Sequence, residues 1–227
     1  MKALSRIVLM AEMHGRDLIR RHAAIGLLIA LPLSFYLASA GDDAHAPVTG
    51  GIGMSFAVSG AALFSIMSAR AVDQRLVLAG YRPVELLLGR VGFLGPLALS
   101  IAAGFAVLMS RLSHPARIWI VVLGLATVAL QAVPFGLAIG AAVPRELEGT
   151  LALIGVIGVQ LASHSDSVAT KMLPFYGPRR LIEAGLVHHG ALLLPGLVTA
   201  AYGTALLIVA RVLIARRITV RKHTEVN

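Results

Sequence analysis

Uncharged apolar runs recur along this chain, each about as long as a bilayer's hydrocarbon core is thick. A helix that crosses that core needs about 20 predominantly apolar residues, within a range of about 17–25. Six segments are read as spans: His22–Ala40, Gly51–Ala69, Val91–Met109, Ile118–Val143, a weaker one at Glu148–Ser163, and Ala191–Leu213. Composition agrees, with 57% hydrophobic and 14% charged residues, where soluble domains carry about 25% charged. Inside lipid the backbone must satisfy its own hydrogen bonds, so segments of this length are read as helices. The expected fold is all-α and integral to the membrane, with six transmembrane helices. Pro32, Pro134 and Pro195 lie within these segments, where neighbouring helices can re-satisfy the carbonyls that a proline leaves free.

The formal net charge of +9 raises nucleic acid as a partner. The basic residues flank the apolar runs and form no single stripe, which points to a bilayer and away from nucleic acid. Fifteen of the 20 Lys and Arg residues fall on one side of the six-span arrangement and five on the other. Basic loops stay in the cytoplasm, so both termini and the Arg70–Arg90 and Pro144–Thr150 connections are expected there. Arginine outnumbers lysine 17 to 3, a bias of GC-rich bacterial genomes, so the expected location is a bacterial cytoplasmic membrane. The absence of cysteine excludes disulfides, Cys-zinc sites and thiol chemistry.

The first span ends in Ala38-Ser39-Ala40, which resembles a signal-peptidase site. About twenty residues precede it, including Glu12 and Asp17. A leader is usually shorter and purely basic, so an uncleaved span is expected. Within residues 1–21, Leu4, Ile7, Val8, Ala11, Leu18 and Ile19 share one helical face, which Lys2, Arg6, Arg16 and Arg20 avoid. An amphipathic helix lying along the membrane surface is expected here.

Between the second and third spans stands DQRLVLAGYRPVELLLGR, Asp73–Arg90, with five charged residues. Asp73 reads as the N-cap of a very short helix with Val72, Leu76 and Ala79 near one face. Gly80 supplies a left-handed position to end it, and Pro83 suits the first turn of the next helix. Tyr81 and Arg82 then sit at the tip. A plain connection takes about two to eight residues, so an ordered, charged segment of this size points to a docking surface.

Three further stretches sharpen that reading. VELLLGRVGFLGPLAL enters the third span, AVPRELEGTLALIGV joins the fourth to the fifth, and MLPFYGPRRLIEAGLVHHGALLLPGLVTAAYGTALLIVARVLIARR closes the chain. In order and spacing these resemble the permease subunits of type-2 ABC (ATP-binding-cassette) exporters, over nearly the whole length. The resemblance implies a homodimer, or a pair with a similar subunit, working with two separate ATPase subunits. It implies a coupling helix at residues 73–82 and two short outer-leaflet re-entrant helices within 163–190. ATPase contacts would fall on Asp73, Arg75, Leu76, Tyr81 and Arg82, with a smaller second contact at Glu146 and Glu148. DQRLVLAG lacks the Gly-Thr that many relatives carry in this loop. The translocation path would be lined from the second and fifth spans by Met54, Phe56, Phe64, Met67, Ile154 and Gln160. Such a lining fits a lipophilic or amphipathic cargo: a drug, an antibiotic or a lipid.

No phosphate-binding G-x-x-x-x-G-K-[ST] occurs in the sequence, so ATP and Mg are expected on the partner ATPase, and this chain is expected to be no enzyme and to hold no cofactor or metal. His188-His189 lacks a third ligand at helical spacing. His164–Ser167 holds the residue types of a hydrolase triad, but neighbours in sequence cannot point at one another as a triad requires. The rival readings are an integral-membrane enzyme using His164, Asp166, His188 and His189, and a secondary transporter, for which internal repeats and a midplane ionisable group would be usual. Gln131 and Gln160 lie well inside spans and must face protein or a pathway. Gly136 to Gly140 forms a small-xxx-small face suited to close helix contact.

Overall fold

The computed structural model describes residues 2–20, 22–41, 45–163, 168–187 and 192–219. Those residues form helices and connections, with no strand among them. In chain order the helices are α1 Lys2–Arg20, α2 His22–Ala38, α3 Ala46–Ser68, α4 Arg70–Leu78, α5 Pro83–Leu112, α6 Ile118–Ala142, α7 Glu146–Ala162, α8 Val168–Lys171, α9 Tyr176–Leu186 and α10 Leu193–Thr219.

Four of these are long and apolar enough to cross a membrane: α3, α5, α6 and the Leu193–Arg216 part of α10. The chain is thus an all-helical membrane protein with several apolar spans. The expected first and fifth spans correspond to α2 and α7, of 17 residues each. At about 1.5 Å per residue each is about 25 Å long, a little short of a hydrocarbon core of about 30 Å. α5 starts at Pro83, as the turn residues implied, and runs through Glu85 and Arg90 directly into the third span, 30 residues in all.

α3 and α6 form the interior pair. Their seam is made of small residues, as GLAIG implied. A Cβ placed on Gly136 would stand 2.0 Å from the Ser59 carbonyl oxygen, and one on Gly140 would stand 3.0 Å from that of Leu63. Backbones that close exclude any side chain between them, which is how helices gain contact in lipid. The Ser59 hydroxyl adds a 3.0 Å hydrogen bond to the Ala132 carbonyl. α2 packs on the other side of α3, where Gly53 faces Phe35 and Gly50 faces Phe105 and Tyr36. Tyr36 and Phe105 meet edge to face at 5.8 Å, and the Tyr36 hydroxyl bonds Ser113 at 2.6 Å.

α1 bends away from α2 by 84° and lies along the start of α5. The face it docks differs from the one expected. Ile7, Met10, Ala11, His14, Gly15 and Leu18 turn inward to varying degrees, while Leu4, Val8 and Ile19 stay exposed. The cause lies on both helices: Gly89 of α5 leaves a notch for Met10, and Gly15 of α1 leaves one for the Phe93 ring. An open groove of about 460 Å³ remains beside Leu4, Val8, Leu9 and Glu12.

Candidate functional site

The charged segment forms two helices with a sharp turn between them, largely as its residues dictate. Gly80 adopts φ +91°, and its N–H bonds the Val77 carbonyl while that of Tyr81 reaches Leu76, both at 3.0 Å. That is a Schellman cap, closed by the one residue type that tolerates the left-handed region freely. Pro83 occupies the first turn of α5, and Glu85 accepts the Arg82 N–H at 2.9 Å. α4 begins at Arg70, three residues before the expected start, so Asp73 is not its N-cap.

Asp73 instead faces inward. Both of its carboxylate oxygens lie 2.7 Å from Nη2 of Arg90, a guanidinium only 1% exposed and two turns inside α5. A buried cation requires a partner because desolvation is so costly. The first turn of α4 delivers that carboxylate. Burial pushes the Asp73 carboxyl up, and Arg90 opposes that rise. His14 of α1 sits beside the pair. Burial and then the Arg90 charge lower its pKa to about 4, against a small opposing effect of Asp17. His14 is therefore neutral at pH 7.

α1 also clasps the turn. Arg6 donates to the Gly80 carbonyl at 3.2 Å, lies 3.6 Å from Glu85, and places its guanidinium 4.9 Å from the Tyr81 ring centroid. Tyr81 is accordingly half-buried under Arg6, and Leu76 is half-buried as well. What α4 and the turn leave open is Val72, Arg75, Leu78 and Arg82. Leu78 is 76% exposed, an apolar side chain flanked by two cations. Glu146 and Glu148 are exposed at the start of α7, with Arg145 3.9 Å from Glu148. Arg70 brings the two contacts to one end of the molecule by bonding the Val143 and Pro144 carbonyls. The sequence placed Val72 on a face with Leu76 and Ala79 and did not single out Leu78; in the structure Val72 and Leu78 are exposed and Leu76 is half-buried. Leu78 stands three residues after Arg75 on α4, a spacing that puts the two on neighbouring positions of one helix face.

The expected path residues divide into two groups. Met54, Met67 and Gln160 are buried within the chain, whereas Phe64 and Ile154 are about half exposed and Phe56 is intermediate. Gln160 and Gln131 grip a single peptide unit. The Gln131 amide donates to the Pro174 carbonyl, and the Phe175 N–H donates to Gln160 Oε1 at 3.3 Å. A carbonyl can only accept and an N–H can only donate, so both amide orientations are fixed. The clamp holds the turn that leads into α9. Arg179 completes it by capping the end of α7, with Nη1 3.1 Å from the carbonyls of Gln160 and Ser163 and Nε 2.9 Å from Glu183.

α9 is then buried by close approaches. Ile182 lies over Gly51 and Gly124, Gly185 meets Val121, and Gly177 meets the Pro195 carbonyl and Thr199. The cavity beside the clamp, lined by Val48, Ile52, Val128, Phe175 and Arg179 among others, measures about 10 Å³, room for about one water. Gln160→Leu removes the acceptor of a buried N–H, and such bonds in membranes average about 0.6 kcal/mol. The variant is expected to melt at lower temperature in detergent. An unchanged melting temperature would show that the clamp carries no stability.

Among the described residues, the expected re-entrant stretch also contains α8, a single turn. His164, Asp166, His188 and His189 lie outside the described residues, and among those described no three acidic or histidine side chains group as metal ligands. No protein-family model and no curated protein matches this chain.

Proposed function

We propose that this chain is the membrane-spanning subunit of an ATP-driven exporter of the type-2 ABC kind. It would act as a homodimer, or with a similar subunit, and with two separate ATPase subunits. The observation that carries the reading is α4 and the turn after it: a braced, charged helix at one end of the spans that offers Val72, Arg75 and Leu78 outward, with Arg82 exposed in the turn. Solvated connections do not need a counter-charge lock, a clasping helix and a Schellman turn to hold an apolar side chain in water. A partner groove that is apolar at its floor and acidic at its rim matches Leu78 between Arg75 and Arg82, with Glu146 and Glu148 as the lesser contact.

In this reading α2 and α7 complete six spans, α1 lies along the cytoplasmic face, and both termini are cytoplasmic in a bacterial inner membrane. Closure of the ATPases would push the two α4 helices together. The path would run between the two permease subunits, where Phe64 and Ile154 are open, because the cavity beside the glutamines is too small for cargo. The open apolar residues favour a lipophilic or amphipathic cargo.

Leu78→Asp combined with Arg82→Glu is expected to abolish co-purification of ATP-hydrolysing activity with the chain while leaving its melting temperature unchanged. Arginine is among the residues that anchor interfaces at about 2 kcal/mol or more, roughly 30-fold in affinity, and the Leu78 change adds a buried carboxylate to an apolar contact. Undiminished ATPase recovery in that variant would remove α4 as the docking element.

A further inference from the structure

Arg70 stands at the first position of α4, one residue beyond the break that ends α3. Its guanidinium reaches across to the α6–α7 connection. Nη2 donates to the Val143 carbonyl at 2.8 Å and lies 2.7 Å from the Met67 sulfur, and Nη1 donates to the Pro144 carbonyl. These two carbonyls are consecutive and sit where α6 ends, at the negative end of its dipole. A planar fork is pre-organised to hold both from two separate nitrogens, whereas an ammonium would have to reach both from one. One turn later in the same helix, Asp73 holds Arg90 of α5. The first turn of α4 is therefore tied in two directions, to α5 by Asp73 and to the start of α7 by Arg70.

From this arrangement we infer that Arg70 is a positioning residue that transmits displacement of α4 to the α6–α7 connection, so that both connections respond to a docked partner as one body. The consequence for transport rests on the proposed ATPase docking, while the transmission itself does not. Without Arg70, the coupling left between α4 and the residues around Glu146 would run through helix packing, where Gly149 of α7 meets Leu63 of α3, and would pass on less of the movement.

The test uses the full chain in lipid nanodiscs with a spin label at Glu148→Cys, in a sequence that has no other cysteine. Asp73→Asn displaces α4 by weakening its hold on Arg90, and the electron paramagnetic resonance line shape at position 148 reports whether α7 responds. A shifted line shape is expected with Arg70 in place and a smaller shift in the Arg70→Ala background. A purely structural role would alter the resting spectrum but leave the response to Asp73→Asn additive. Arg70→Lys keeps the charge and loses the fork, so it is expected to diminish the response even if Arg70→Ala fails to fold. An equal shift in wild-type and both Arg70 backgrounds would overturn the inference. No ATPase is present in the measurement, so loss of the response alongside failed ATPase docking would leave the Arg70 role standing and remove only the partner.

Discussion

Asp73→Ala is expected to destabilise the chain by about 3–5 kcal/mol, the range for stranding one member of a buried ion pair. Against a total stability of about 5–15 kcal/mol this is a large share. The cause is Arg90, which is 1% exposed and would lose the only carboxylate bonded to it among the described residues. Replacing both partners with leucine is expected to restore most of the loss, because apolar pairs of similar volume often match or exceed buried ion pairs. Thermal melting of the single and double variants in nanodiscs measures both effects. A wild-type melting temperature for Asp73→Ala would mean that Arg90 is hydrated in the folded chain.

Gly136→Ala is the second large effect. Its new methyl would stand 2.0 Å from the Ser59 carbonyl oxygen and 2.8 Å from the Ala62 methyl, well inside any real contact distance. The α3 and α6 backbones would have to separate, at a cost of about 3 kcal/mol, the upper end of the usual range for overpacking. Gly104→Ala is the matched control, since a Cβ there meets nothing within 4 Å. It is expected to leave stability unchanged or to raise it slightly through helix propensity. Equal melting temperatures for the two variants would refute the close seam.

These two sites also mark how far the sequence alone could be read. The Gly136–Gly140 face was legible because small residues four apart can fall on one helix face wherever the partner helix lies. The Gly80–Pro83 turn was legible for a similar reason, since its signals are local. Asp73 was misread as a cap because its true partner stands 17 residues away on the next helix, and sequence spacing does not reveal which turn faces which. The docked face of α1 was misjudged for the same reason: Gly89 takes in Met10 and Gly15 takes in the Phe93 ring, which turns the helix so that the more apolar Leu4 and Val8 stay exposed. Gln131 and Gln160 were recognisable as side chains that need partners. That both would hold the Pro174–Phe175 peptide follows only from the fold. Arg70 looked like one more positive charge at a span end until the Val143 and Pro144 carbonyls appeared beside it.

Docking of an ATPase on Leu78 of α4 is the contact on which the proposed transport role depends. The most direct measurement places a photo-crosslinking amino acid at Leu78 in the full chain, in its own membrane, with a second one at Trp119. Trp119 is 81% exposed at the start of α6, the end of that helix away from α4. Position 78 is expected to give a covalent adduct with a protein that carries a phosphate-binding loop and hydrolyses ATP, while position 119 gives none. Adducts at position 78 only with lipid or with the chain itself would contradict the central claim.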